Sequence, residues 1–273
     1  MNTPAHHRAT PRAFGEHLRH WRQHRRLSQL DLAQEADIST RHLSFVETGR
    51  SVPSREMVLR LAERLDVPLR ERNSLLVAAG YAPMYRERPL DDPALAPARQ
   101  AVDLILKSHE PYPALAVDRH WNLVAANKML PHLLAGVDPS LLQGQPNVLR
   151  ISLHPQGLAS KIVNLVQWRE HLFERLRQQV HATGDGALAA LLEELKAYPV
   201  PEGAADTHLE GEHLGVAMPF QFRTAQGAVL SFISTTTVFG TPVDVTLQEL
   251  ALETFFPADA FTGEALRQLA AAS

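Results

Sequence analysis

The 273-residue chain has no cysteine, which excludes disulfides, thiolate chemistry and cysteine-ligated zinc and is compatible with a reducing compartment. It has no apolar run approaching a membrane span. Its opening residues, Met1-Asn2-Thr3-Pro4-Ala5-His6-His7-Arg8, lack the apolar core of a secretion signal, so a cytoplasmic address without membrane contact is expected. The motifs of common enzymes are also missing. There is no Gly-x-Ser-x-Gly elbow, no phosphate-cradling P-loop, no His-Glu-x-x-His helix and no dinucleotide fingerprint. His171 with Glu174, and His208 with Glu212, read as surface pairs without a nucleophile or metal cluster beside them. No catalytic residue, resident cofactor or metal is therefore expected.

The net charge of -3 conceals an asymmetry. Residues 1–88 hold 15 arginines, no lysine and 10 carboxylates, a balance of +5, whereas residues 89–273 hold 12 basic and 20 acidic side chains, a balance of -8. The first part suits a polyanion and the second would be repelled by one. With 45% hydrophobic residues the chain has material for two ordinary domains.

Residues 28–49 read as two short helices joined by a tight turn. Ser28 caps the first, Asp31 completes a capping box, and Leu32, Ala33 and Ala36 form its inner face. Asp37 falls at the sharp turn, where its side chain tolerates the left-handed conformation. Ser39 caps the second helix, Ile38, Leu43 and Val46 continue the inner face, and Gly49 ends it. Thr40, Arg41, His42 and Ser44 remain outward, as donors and acceptors for base edges in a major groove; the planar fork of Arg41 matches O6 and N7 of a guanine. Such a helix reaches the groove only if another crosses behind it, which calls for a small residue such as Ala33 near the crossing.

These residues, with Val46-Glu47-Thr48-Gly49-Arg50 at the exit, resemble the lambda-repressor/Cro-like (XRE) helix-turn-helix family over residues 12–80. The resemblance implies an all-α, five-helix module that binds a double-stranded DNA operator, with Arg50, Gln29 and Ser39 on backbone phosphate. Asp37 departs from the glycine most often found at this turn.

Around the motif, Phe14, Leu18 and Trp21 mark the core face of a first helix starting at Arg12, whose outer face carries His17, His20 and His24; their spacing leaves metal binding open beside a solvated face. The dozen residues before it offer little to bury. A fourth helix is expected from Ser54 to Leu65 with Met57, Leu61 and Leu65 inward, and a fifth from Pro68 to Gly80. Residues 81–99, rich in proline, read as a linker.

Residues 100–273 read as an α+β domain. A helix continues from Ala98 to Leu106, then Ala114–Val117 and Trp121–Asn127 form a hairpin. Helices are expected near 128–135, 155–182 and 186–197, and strands at 214–222, 229–239 and 243–254. This antiparallel sheet with a helical insertion is similar to the PAS-like domain of MmyB-type regulators. The carrying residues are Pro113 to Trp121, Ala126-Asn127, Asn147 to Arg150, Trp168-Arg169 and the Phe232-to-Phe256 strand pair. The resemblance implies a sensor of a small apolar ligand, a fatty acid or acyl compound. The sheet face that covers the helices places Val117, Trp121, Trp168, Phe220, Phe222, Phe232 and Ile233 around a pocket, with Arg150 or His154 to meet an acidic head group. The expected protein is a homodimeric, ligand-responsive transcription regulator. The alternative is a DNA-binding protein whose second domain serves dimerisation or docking of a protein partner.

Overall fold

In the computed structural model, which describes residues 11–200 and 218–272, the chain divides into two units, Met1–Arg88 with Pro242–Val245, and Pro89–Thr241 with Thr246–Ser273.

The first unit is five helices: α1 (Pro11–His24), α2 (Gln29–Glu35), α3 (Thr40–Glu47), α4 (Arg55–Arg64) and α5 (Leu69–Ala78). Serine opens three of them. Ser28 Oγ accepts from Asp31 N at 3.1 Å while Asp31 accepts from Ser28 N at 2.8 Å, Ser39 accepts from His42 N, and Ser54 accepts from Met57 N. Asp37 takes the left-handed conformation at φ 53°, as the turn requires. Phe14, Leu18, Leu32, Ala33, Leu43, Val46, Leu61 and Leu65 are all buried in one core. On α4 Val58 is buried with Leu61 and Ala62, and Met57 sits half-buried at the rim. α1 and α3 cross closely at Gly15, where an added Cβ would lie 2.4 Å from the carbonyl oxygen of Glu47 at the end of α3.

Hydrocarbon alone does not fix α1, α2 and α3. The Glu47 carboxylate is buried, and Arg22 grips it through Nε to Oε1 at 2.6 Å and Nη2 to Oε2 at 3.0 Å. Gln29 donates to Oε2 at 2.8 Å and Arg19 lies 3.6 Å away. Burial opposes ionisation of Glu47, but the hydrogen bonds from Arg22 and Gln29, with the charges of Arg22 and Arg19, together hold its pKa below the ordinary value.

Part of the expected linker is fixed to this unit. The Asn73 side chain accepts from Met84 N and Tyr85 N and donates to Tyr85 O, and the Tyr81 hydroxyl donates to Pro53 O at 2.9 Å. Further on, Val245 N donates to Arg86 O at 2.8 Å, and Arg88 lies 3.3 Å from the buried carboxylate of Asp244. The remainder, from Pro89, belongs to the second unit. Asp92 caps a 3-10 turn that buries Leu95, and α6 (Ala96–Ser108) follows directly.

In the second unit, β1 (Ala114–Val117), β2 (Leu123–Ala126), β3 (Pro219–Arg223), β4 (Val229–Val238) and β5 (Ala251–Pro257) form one antiparallel sheet in the order β2-β1-β5-β4-β3. The interior strand β1 is buried on both faces, which explains its uninterrupted Ala-Leu-Ala-Val. Ala114 and Ala116 pack with Val102 and Leu106 of α6, while Leu115 and Val117 enter the larger core. That core is completed by α7 (Leu130–Leu134), α8 (Val148–Leu153), α9 (Leu165–Thr183), α10 (Gly186–Lys196) and Leu266.

Three boundaries differ from the sequence reading. The helix expected over 155–182 begins only at Leu165. Asn147 caps a separate α8, Pro155 discourages its continuation, and Gly157 lies against it where an added Cβ would be 2.1 Å from Ile151 O. The strand expected over 243–254 starts at Ala251, since α11 (Val245–Gln248) precedes it. β3 starts at Pro219; positions 214–217 of the expected strand, the His208–Glu212 pair and the opening ten residues lie outside the described residues. A last helix, α12 (Ala260–Ala271), was not anticipated; Asp259 caps it by accepting from Thr262 N at 2.6 Å.

Replacing Glu47 by Gln should destabilise the first unit by about 3 kcal/mol, because it leaves the Arg22 charge without its buried partner. With a depressed native pKa, the Glu47 contribution is complete above its unfolded value, near 4.5, and is lost as pH falls through the native value. Urea melts from pH 7 down to pH 3 should therefore show the gap between wild type and E47Q closing at the acid end.

Candidate nucleic-acid interface and ligand cavity

On α3 the apolar side faces the core and the remaining side is open. Arg41 is exposed, and Thr40, His42 and Ser44 are partly so. The Arg41 guanidinium lies 5.4 Å from the centre of the Phe45 ring and that of Arg50 lies 5.9 Å from the same ring. A half-buried aromatic thus gathers two cations at one end of the helix. Sequence reasoning missed Phe45, although Arg41 and Phe45 stand at i, i+4 spacing, which makes them neighbours on a helix. Ser39 Oγ accepts from His42 N, which leaves the hydroxyl proton to donate outward. Gln29, expected on phosphate, also has a partner inside the unit. One of its amide N–H groups is committed to Glu47, so it helps to set the tilt of α3. His20 and His24 stack at 6.0 Å, and among the described residues no group of His, Asp or Glu is arranged to hold a metal ion.

The second unit contains a cavity of about 80 Å³, several times the roughly 10–15 Å³ needed by a single water. Its wall is apolar almost throughout, with Leu115, Leu123, Leu130, Leu133, Leu158, Leu172, Phe220 and Phe255 among the lining side chains. Of the nine residues expected to line a pocket, Trp121, Trp168 and Phe220 do so. The other six do not. Val117, Phe222 and Phe232 are packed into the surrounding core. Ile233 follows Phe232 on a strand, so the alternation of side chains sends it to the opposite face. Arg150 makes two 2.8 Å bonds to Glu194 at the surface, and the His154 ring stands 5.0 Å from that of Tyr198. An acidic head group would find neither in the wall.

The polar wall is formed instead by Ser152, Arg175 and Glu253. On α9 the residues Trp168, Leu172 and Arg175 repeat at i, i+4 and i+7, so one stripe supplies both apolar lining and a cation. Arg175 donates from Nη2 to Glu253 Oε1 at 2.8 Å and lies 4.7 Å from the centre of the Trp121 ring. Trp121 itself adopts φ 67°, unusual for a bulky residue. Asp118 fixes the turn by accepting from His120 N and Asn122 N, while Trp121 Nε1 donates to Gln179 at 2.7 Å. Local backbone strain is thus concentrated at a residue in the cavity wall.

A capped reading helix on a basic module, together with a separate domain built around an apolar cavity, defines a DNA-binding helix-turn-helix transcription regulator with a ligand-binding domain. The chain belongs to the family of MmyB-like transcription regulators: residues 98–269 match the MmyB-like transcription regulator ligand binding domain, and residues 13–75 match a helix-turn-helix domain. Among solved structures it is similar to the restriction-modification controller protein C.AhdI from Aeromonas hydrophila, with 34% identity over 23% of this chain and 94% of that one, at a TM-score of 0.22. It is also similar to the clp gene regulator ClgR from C. glutamicum, with 26% identity over 26% of this chain and 87% of that one, at a TM-score of 0.23. A comparison with curated proteins finds none that matches. No helix among the described residues is long and apolar enough to cross a membrane.

Replacing Leu172 by Trp places an indole into the cavity from the middle of the α9 stripe. Uptake of the neutral fluorescent reporter N-phenyl-1-naphthylamine should fall at least tenfold, by order of magnitude, with α-helical circular dichroism unchanged. Undiminished uptake would place the reporter elsewhere.

Proposed function

We propose that this protein binds a double-stranded operator in the cytoplasm as a homodimer and that an apolar acyl compound, such as a fatty acid or its derivative, occupies the cavity of its second domain. The observation that carries the DNA reading is the outer face of α3, where Arg41 and Arg50 flank Phe45 beside Thr40, His42 and Ser44. Arg41 is the candidate for bidentate contact with a guanine, and Arg50 and Ser39 for backbone phosphate. Two copies of this helix match an inverted repeat with half-sites about one helical turn, roughly 34 Å, apart. The apolar lining supports a hydrocarbon occupant. A ligand that favours one dimer geometry over another then shifts operator affinity by its differential binding.

Replacing Arg41 by Ala should cost roughly 1–3 kcal/mol on the operator and relax preference at one base pair. Replacing Arg50 by Ala should weaken all duplexes alike and reduce the slope of log affinity against log salt by about one. Salt-titrated gel shifts on matched and scrambled duplexes read both effects. Unchanged affinity in both variants would contradict the docking described.

A further inference from the structure

Taking the cavity as the ligand site, we infer that it selects an uncharged aliphatic compound, such as an ester, lactone or alcohol, over a free carboxylate, because among the described residues the charges in its wall form an ion pair closed on itself. Arg175 donates to both oxygens of Glu253, at 2.8 and 3.3 Å. Thr236 closes the set: it accepts from Arg175 Nη2 at 2.8 Å and donates to Glu253 Oε1 at 2.9 Å. The side chain of Glu253 is 5% exposed and that of Arg175 is 23% exposed, so the pair is little screened by solvent. His171, on the same helix, adds no charge near neutral pH, since burial and then the Arg175 charge hold it below its ordinary value.

A carboxylate arriving beside Arg175 meets Glu253 at the same place. It must either share the guanidinium with a like charge or displace Glu253, which then remains as a buried anion without its partner. An uncharged head group meets neither cost. It finds a hydrogen-bond donor as well: Ser152 Oγ already accepts from Trp168 Nε1 at 3.1 Å, so the proton of its hydroxyl is directed to another acceptor, and a carbonyl or alcohol oxygen provides one. Neutrality of the wall therefore sets the head group, while the leucines and aromatic rings set the chain.

The inference is tested on the full chain with three ligands of one chain length, decanoate, methyl decanoate and 1-decanol, at pH 7.5. Binding is read by the fluorescence of Trp121 and Trp168 in the wall and checked by calorimetry. Wild type should bind the ester or the alcohol at least about tenfold more tightly than decanoate, a difference of about 1.4 kcal/mol. Glu253→Gln exposes the Arg175 charge and should shift the ratio toward decanoate by a similar factor. The double substitution R175Q/E253Q should remove that shift. Stronger binding of decanoate by wild type would overturn the head-group inference while leaving the cavity as a ligand site. Binding of none of the three would overturn both. The wild-type comparison stands even if E253Q fails to fold.

Discussion

A carboxylate sealed from water sets the geometry on which DNA reading depends. Glu47 is the last residue of α3, and its partners Arg19 and Arg22 come from α1 and Gln29 from α2. Apolar packing is tolerant of small rotations, because one buried methylene contact is readily exchanged for another. A forked guanidinium on a carboxylate is not tolerant in that way, since both hydrogen bonds require one relative orientation. Gly15 removes the remaining freedom by letting α1 touch the backbone at the end of α3. The tilt of the reading helix is thus a property of buried polar groups, and the apolar core supplies the free energy that makes their burial affordable.

The second unit uses buried amides for a similar purpose. Asn127 donates to Leu106 O and Tyr112 O and accepts from Ala114 N and Met129 N, so one side chain joins the end of α6, the start of β1 and the approach to α7. Asn164 links the start of α9 to β3 through Pro219 O and Gln221 N. Asn147 caps α8 and reaches His120 O in the turn that carries Trp121. Each amide satisfies backbone groups that a loop would otherwise leave unpaired. The cavity lies among elements located by these contacts, which is how a space lined by leucines keeps its form without being filled by them.

The sequence disclosed the first unit in detail because its signals are local. Ser28, Ser39, Ser54 and Asp37 act within one turn of themselves, so their roles follow from spacing alone. The sheet and its helical insertion were legible from alternation and periodicity, and Trp121, Trp168 and Phe220 from aromatic content. The polar wall was hidden for a physical reason. Arg175 and Glu253 are 78 positions apart and meet only when β5 pairs beside β1 under α9, and no local pattern records that. Arg150 has the charge that an acidic head group calls for, but α8 directs it to Glu194 instead. The strand expected from Val243 begins only at Ala251, because Asp244 is engaged with Arg88 and residues Val245–Gln248 form α11 first.

The central claim is that a basic helical module, held at a fixed tilt by its buried ion pair, reads a duplex. Selection of bound sequences from a random duplex library by the whole chain tests it most directly. The account predicts enrichment of an inverted repeat, with affinity that falls steeply as salt rises while preference over scrambled duplex persists. A folded chain that enriches no sequence, even at low ionic strength, would contradict it.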